Sequence, residues 1–182
     1  DDLTALITGL AQRAKEASRV LVTASTEQKN AVLRRAAEAL RGQAGSRVLE
    51  ANAKDMEAAL SMGLSTAMLD RLELDRKRLD GVADGLDQVA ALPDPVGTVV
   101  EERVLDNGLR VGKMRAPLGL IGIIYESRPN VTADAASLCL KSGNAVLLRG
   151  GKEAFQSNTA IAEIFTRALE EEGLPREAVT LL

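Results

Sequence analysis

The sequence predicts an α/β fold with a helical front part, a β-hairpin, and then the first half of a Rossmann-like parallel sheet. Three observations carry that prediction. Residues 1–92 repeat apolar side chains at helical spacing and stop at the breaker run "PDPVG", 93–97. The next stretch alternates around an Asp-Asn-Gly turn, as hairpins do. From residue 117 short apolar runs alternate with amphipathic helical patterns, the mark of βαβ units.

"LTALITGLAQRAKEASRVLVTA" places Leu3, Ile7, Leu10, Ala14 and Leu21 at helical spacing. "STEQKNAVLRRAAEALRG" opens on a capping-box pattern, Ser25 to Gln28, and stops at Gly42. "SRVLEANAKDMEAALSMG" reads as a third helix closed by Gly63, and Ser65 and Asp75 open two shorter ones. The hairpin follows as "TVVEERVL", "DNG" and "LRVGKMRA". Such a ribbon is either an arm that pairs with another subunit's sheet or a plain edge.

"LGLIGIIY", 118–125, is a near-continuous apolar strand of the kind covered on both faces. "NVTADAASLCLKSGN" gives a helix with Ala135, Leu138 and Cys139 on one face. "AVLL", 145–148, is a second buried strand. "FQSNTAIAEIFTRALEEEG" carries Ile161, Ile164, Phe165, Ala168 and Leu169 on one stripe, and "AVTLL", 178–182, begins a third strand. Three parallel strands make half of a doubly wound unit, so the 182 residues are expected to be the front of a longer protein.

Composition bounds the function. At 46% hydrophobic, 182 residues suit one globular domain, or one and a half. A net charge of −3 argues against a non-specific nucleic-acid partner. No run approaches the ~20 apolar residues of a membrane span, and no signal segment opens the chain, so a soluble cytoplasmic protein is expected. Histidine is absent and Cys139 is the single cysteine. No internal disulfide and no metal site are therefore expected, and acid–base chemistry falls to carboxylates, lysine or tyrosine.

Two stretches carry candidate chemistry. "LLRGGKEA" puts Arg149, Gly150, Gly151 and Lys152 just past a buried strand, where ligands of open α/β sheets bind. The glycines let a backbone come close, and two cations suit a ribose and a phosphate monoester. It is neither of the standard glycine-rich phosphate loops, so a turn with two solvated charges fits the spacing equally. "YESRPNVT" puts Ser127, Arg128 and Asn130 at the end of the preceding strand, where Pro129 keeps Arg128 out of the helical region. Arg128 suits an anionic substrate and the Asn130 amide a developing oxyanion, while Asn130 also suits a helix N-cap. Cys139 sits on an apolar helical face with nothing to lower its pKa, and reads as a small buried hydrophobe. The charged helices read as solvated faces with i,i+4 pairs.

"MRAPLGLIGIIYESRPNVTADAASLCLKSGNAVLLRGGKEAFQSN" resembles gamma-glutamyl phosphate reductase, also called glutamate-5-semialdehyde dehydrogenase, a branch of the aldehyde dehydrogenase superfamily. "NAKDM", "LDRL" and "VVEERVLDNGLRVGKMRAPLG" stand in the order that family has, so the resemblance spans essentially the whole chain. It implies an aldehyde dehydrogenase-like fold and reduction of L-glutamyl 5-phosphate to glutamate 5-semialdehyde with NADPH, through a cysteine thioester, in proline biosynthesis. It also implies a functional link to glutamate 5-kinase and a homo-oligomer joined through the hairpin. The superfamily pattern falls on Gly143, Asn144, Val146, Arg149, Gly150 and Lys152. Arg149 stands for the lysine at the adenosine ribose, and Lys152 for a glutamate that discriminates against a ribose phosphate. That charge reversal implies NADPH rather than NADH.

The superfamily's oxyanion asparagine falls on Arg128 in an ungapped register and on Asn130 by chemistry; Asn130 is preferred. The family's catalytic cysteine lies in a second domain beyond these residues, and Cys139 does not match it. The resemblance thus implies a front part without activity of its own. Two further readings are the reductase half of a bifunctional pyrroline-5-carboxylate synthase, and a non-catalytic helical/βαβ module whose hairpin binds a partner.

Overall fold

In a computed structural model, residues 2–182 are described. Five helices come first: α1 (Asp2–Leu21), α2 (Thr26–Arg41), α3 (Gln43–Ser61), α4 (Thr66–Leu72) and α5 (Arg76–Ala91). Their boundaries follow local chemistry. Ser25 and Gln28 form the expected reciprocal capping box, and the Ser65 and Asp75 side chains accept from the backbone N–H groups of Met68 and Arg78.

The hairpin β1 (Val99–Val104) and β2 (Arg110–Met114) pairs antiparallel with every residue exposed. The remaining elements are β3 (Leu120–Ile124), α6 (Asn130–Lys141), β4 (Ala145–Arg149), α7 (Phe155–Glu171) and β5 (Val179–Leu181). Strands β3, β4 and β5 form one parallel sheet in that order, with β4 central.

The molecule is layered. Helix α1 lies against β4 on one side of the sheet. Helices α6 and α7, the two crossovers, lie on the other side, where right-handed connections in one direction must put them. Helices α2, α3 and α5 pack behind α6 and α7. Buried Leu33, Leu40, Leu79, Leu86, Leu140, Leu148, Ile161 and Phe165 thus belong to a single core shared by the helical front and the sheet.

Three expectations are corrected. Strand β3 is not covered on both faces: Ile124 is 84% exposed, because α1 crosses β4 and reaches only the start of β3. Leu138 is 55% exposed, so the buried stripe of α6 runs through Ala135, Ala136, Cys139 and Leu140 instead. The charged helices mostly pair across elements rather than along one. Arg35 meets Glu171 and Glu172, Arg41 meets Asp84 and Asp87, and only Arg76–Asp80 is an i,i+4 pair among the described residues.

Candidate functional site

Parallel register brings the two candidate stretches side by side. Ile124 at the end of β3 pairs with Arg149 at the end of β4, and the Tyr125 N–H donates to the Arg149 carbonyl at 3.0 Å. Both stretches therefore leave the sheet at its carboxyl edge, where helix N-termini and free backbone groups collect.

The turn after β4 is built around close approach. A Cβ on Gly150 would stand 2.2 Å from Asn158 Nδ2 and 3.0 Å from the Tyr125 ring, so only glycine fits there. Asn158 is itself 1% exposed and tied down. Its Oδ1 accepts from the Thr132 hydroxyl at 2.9 Å, and that hydroxyl lies 2.6 Å from the Tyr125 phenol. Burial pushes the Tyr125 pKa up, against the opposing hydrogen bond to Thr132, which keeps the phenol protonated. Above this fixed floor Arg149 and Lys152 are exposed, and the Arg149 guanidinium donates to the Gly150 carbonyl at 2.8 Å. Arg149, Gly150, Gly151 and Lys152 line one cleft with Phe155 and Leu181, about 130 Å³ in volume. A complete small-molecule pocket holds roughly 300–1,000 Å³, so this cleft is too small to enclose such a ligand by itself.

The stretch after β3 opens on a different cleft of about 410 Å³. Arg128 and Asn130 line it with Arg71, Arg78 and Asp134 from α4, α5 and α6. Asn130 does not cap α6. Pro129 takes that place, and the Asn130 amide donates to Asp134 Oδ2 at 3.0 Å. Ser127, expected at the substrate, is buried and lines neither cleft, because the turn before Pro129 folds it inward. The sequence put both stretches at one rim of the sheet; the structure opens Arg128 and Asn130 on one cleft and Arg149–Lys152 on another.

What it missed is the support beneath. Helix α7 begins without a cap of its own, and Asp55 of α3 supplies one. The carboxylate accepts from the N–H groups of Gln156 and Ser157 at 3.2 and 2.8 Å, and from the Ser157 hydroxyl at 2.6 Å. Asn52 donates to Ser157 Oγ and to the Leu72 carbonyl, and accepts from the Leu74 N–H. This network fixes the start of α7, and with it the loop that presents Lys152. A signal existed: Asn52 and Asp55 fall on the apolar stripe with Val48 and Ala59, and Asn158 falls three residues before Ile161.

Cys139 is buried, and burial pushes its thiol up to about 11, the opposite of an activated nucleophile. Among the described residues no group of acidic, cysteine or histidine side chains could hold a metal, and no helix is long and apolar enough to cross a membrane.

No protein-family profile matches the chain. Its relatives nevertheless agree with one another. The gamma-glutamyl phosphate reductase of Xanthomonas oryzae is 54% identical over 173 residues, which is 95% of this chain and 42% of that protein. The crystal structure of gamma-glutamyl phosphate reductase from Thermotoga maritima superposes with a TM-score of 0.93 at 42% identity, covering 96% of this chain and 42% of the other. An acetylating aldehyde dehydrogenase from Geobacillus thermoglucosidasius shares the fold at 18% identity, with a TM-score of 0.72 over 97% of this chain and 36% of its own. The chain therefore spans well under half the length of the relatives it matches. Over nearly all of its residues it belongs to the gamma-glutamyl phosphate reductase family, within the aldehyde dehydrogenase fold.

Proposed function

We propose that the Arg149–Lys152 turn is the ribose-and-phosphate wall of an NADPH site. The protein that carries it reduces L-glutamyl 5-phosphate to L-glutamate 5-semialdehyde in proline biosynthesis. The observation that supports this most is the turn itself: two exposed cations over a glycine backbone held within contact distance of Asn158 and Tyr125. Arg149 lies toward the adenosine ribose and Lys152 toward the 2′-phosphate, whose two negative charges a lysine can meet and a glutamate would repel.

NADPH, when bound, supplies the hydride. Arg128 faces the anionic substrate and Asn130 the developing oxyanion, for which its amide must exchange Asp134 for substrate. The reacting cysteine comes from a part outside these 182 residues, since the thiol of Cys139 is buried and held protonated. By this reading the 182 residues alone are inactive. The protein is cytoplasmic, assembles through its exposed hairpin as a homo-oligomer, and takes its acyl phosphate from glutamate 5-kinase.

Lys152→Glu in the full-length protein tests the cofactor assignment. NADPH affinity is expected to fall about tenfold or more while NADH affinity holds or rises, the scale of one lost charge-assisted contact. A preference that does not move toward NADH rules Lys152 out as the phosphate ligand.

A further inference from the structure

The cleft beside Arg128 has a second, unassigned wall. Three arginines line it, and they are not equivalent. Arg78 is fully engaged: its guanidinium donates to Asp70 Oδ1 at 2.6 Å and to the carbonyls of Asp70 and Glu73. Arg71 and Arg128, both exposed, make no side-chain hydrogen bond and no ion pair among the described residues. The acids of the cleft divide the same way. Asp70 and Glu73 are drawn to Arg78, whereas the Asp134 side chain accepts from the neutral amide of Asn130 and has no cationic partner among the described residues.

Two unspent guanidinium groups and one unspent carboxylate around about 410 Å³ match a particular ligand chemistry. A ligand with two anionic groups and one ammonium satisfies all three; a simple aldehyde or a fatty acyl group satisfies none.

We propose that Arg71 binds the α-carboxylate of the amino-acid end of the substrate, with Asp134 receiving the α-ammonium. This rests on the reductase reading given above. Arg128 follows β3 directly and stands two residues before Asn130, so it belongs to the reacting end. Arg71, in the last turn of α4, forms the wall furthest along the chain from the sheet, and selects for an α-amino acid. The Arg78–Asp70 pair holds α4 against the start of α5 and so fixes where Arg71 stands.

The test uses the full-length protein oxidising glutamate 5-semialdehyde with NADP and phosphate. Arg71→Ala is expected to raise KM for the aldehyde about tenfold to a hundredfold, with kcat and KM for NADP within about twofold of the native values. Arg71→Lys, which keeps the charge but loses the planar fork, recovers part of that loss. Inhibition by L-glutamate weakens in step, while inhibition by 4-aminobutyrate, which lacks the α-carboxylate, stays as it was. An unchanged KM for the aldehyde overturns the assignment. So does equal weakening of both inhibitors, or a KM for NADP that rises alongside, since a merely structural arginine would produce either. If native protein shows no turnover of glutamate 5-semialdehyde, the reductase reading falls, and this assignment with it.

Discussion

At the scale of single residues, the site depends on one missing methyl group. A Cβ on Gly150 would meet the Asn158 amide and the Tyr125 ring, and Asn158 cannot yield without breaking its bond to Thr132. Gly150→Ala is therefore expected to cost about 1–3 kcal/mol in urea denaturation, the usual range for forcing extra volume into a packed site. Gly151→Ala is the control. The atoms nearest its Cβ would all belong to the Glu153 side chain, which can swing away, so a change within about 0.5 kcal/mol is expected. Both glycines were visible in the sequence as a pair. Which of them the fold requires was not, because the atoms that crowd Gly150 come from Tyr125, just after β3, and from Asn158 of α7 rather than from its neighbours in the chain.

At the scale of elements, local helix caps were legible and the distant cap of α7 was not. Ser25, Ser65 and Asp75 cap their own helices within four residues. Helix α7 borrows Asp55 of α3, 102 residues before Ser157, which no local pattern encodes. The hairpin poses the converse problem, since its strands were legible but its purpose is not local. A two-stranded ribbon exposed on every residue is at best marginally stable by itself in water. Val99, Val104, Leu109 and Met114 all lie more than half exposed on it. Deleting residues 98–115 is expected to lower the particle mass in light scattering; an unchanged mass would make the ribbon a plain edge.

At the scale of the whole molecule, a buried ion pair ties the linker before the hairpin to the helical core. Lys29 of α2, 2% exposed, reaches Asp94 at 2.5 Å. Asp94 also accepts from the Thr26 hydroxyl and the Val96 N–H. Burial alone would raise the Asp94 pKa, but the hydrogen bonds from Lys29, Thr26 and Val96 outweigh it and hold the carboxyl below its ordinary value. The sign follows from linkage. A carboxyl with a depressed folded pKa stabilises the fold above its unfolded pKa, near 4, and the contribution vanishes as pH falls through the folded value. Asp94→Asn is therefore expected to lose roughly 3 kcal/mol at pH 7, where it leaves Lys29 buried without its counter-charge. The gap to native protein should close in strong acid. A gap that stays constant from pH 7 to below pH 3 would show that Asp94 acts through shape and not charge.

The order and type of the elements are legible in the residues alone, as is the position of Arg149–Lys152 and Arg128–Asn130 at the carboxyl ends of parallel strands. Those features depend on residues within one or two turns of each other. Long-range packing sets the rest: the two stretches open on separate clefts, Ser127 is buried, β3 keeps an open face, and Arg71 stands unpaired in the cleft that Arg128 lines. Each of those depends on which distant side chain arrives at a given place. The packing of α1 against the sheet, of α3 against α7 and of α4 against α3 sets that, and spacing along the chain does not.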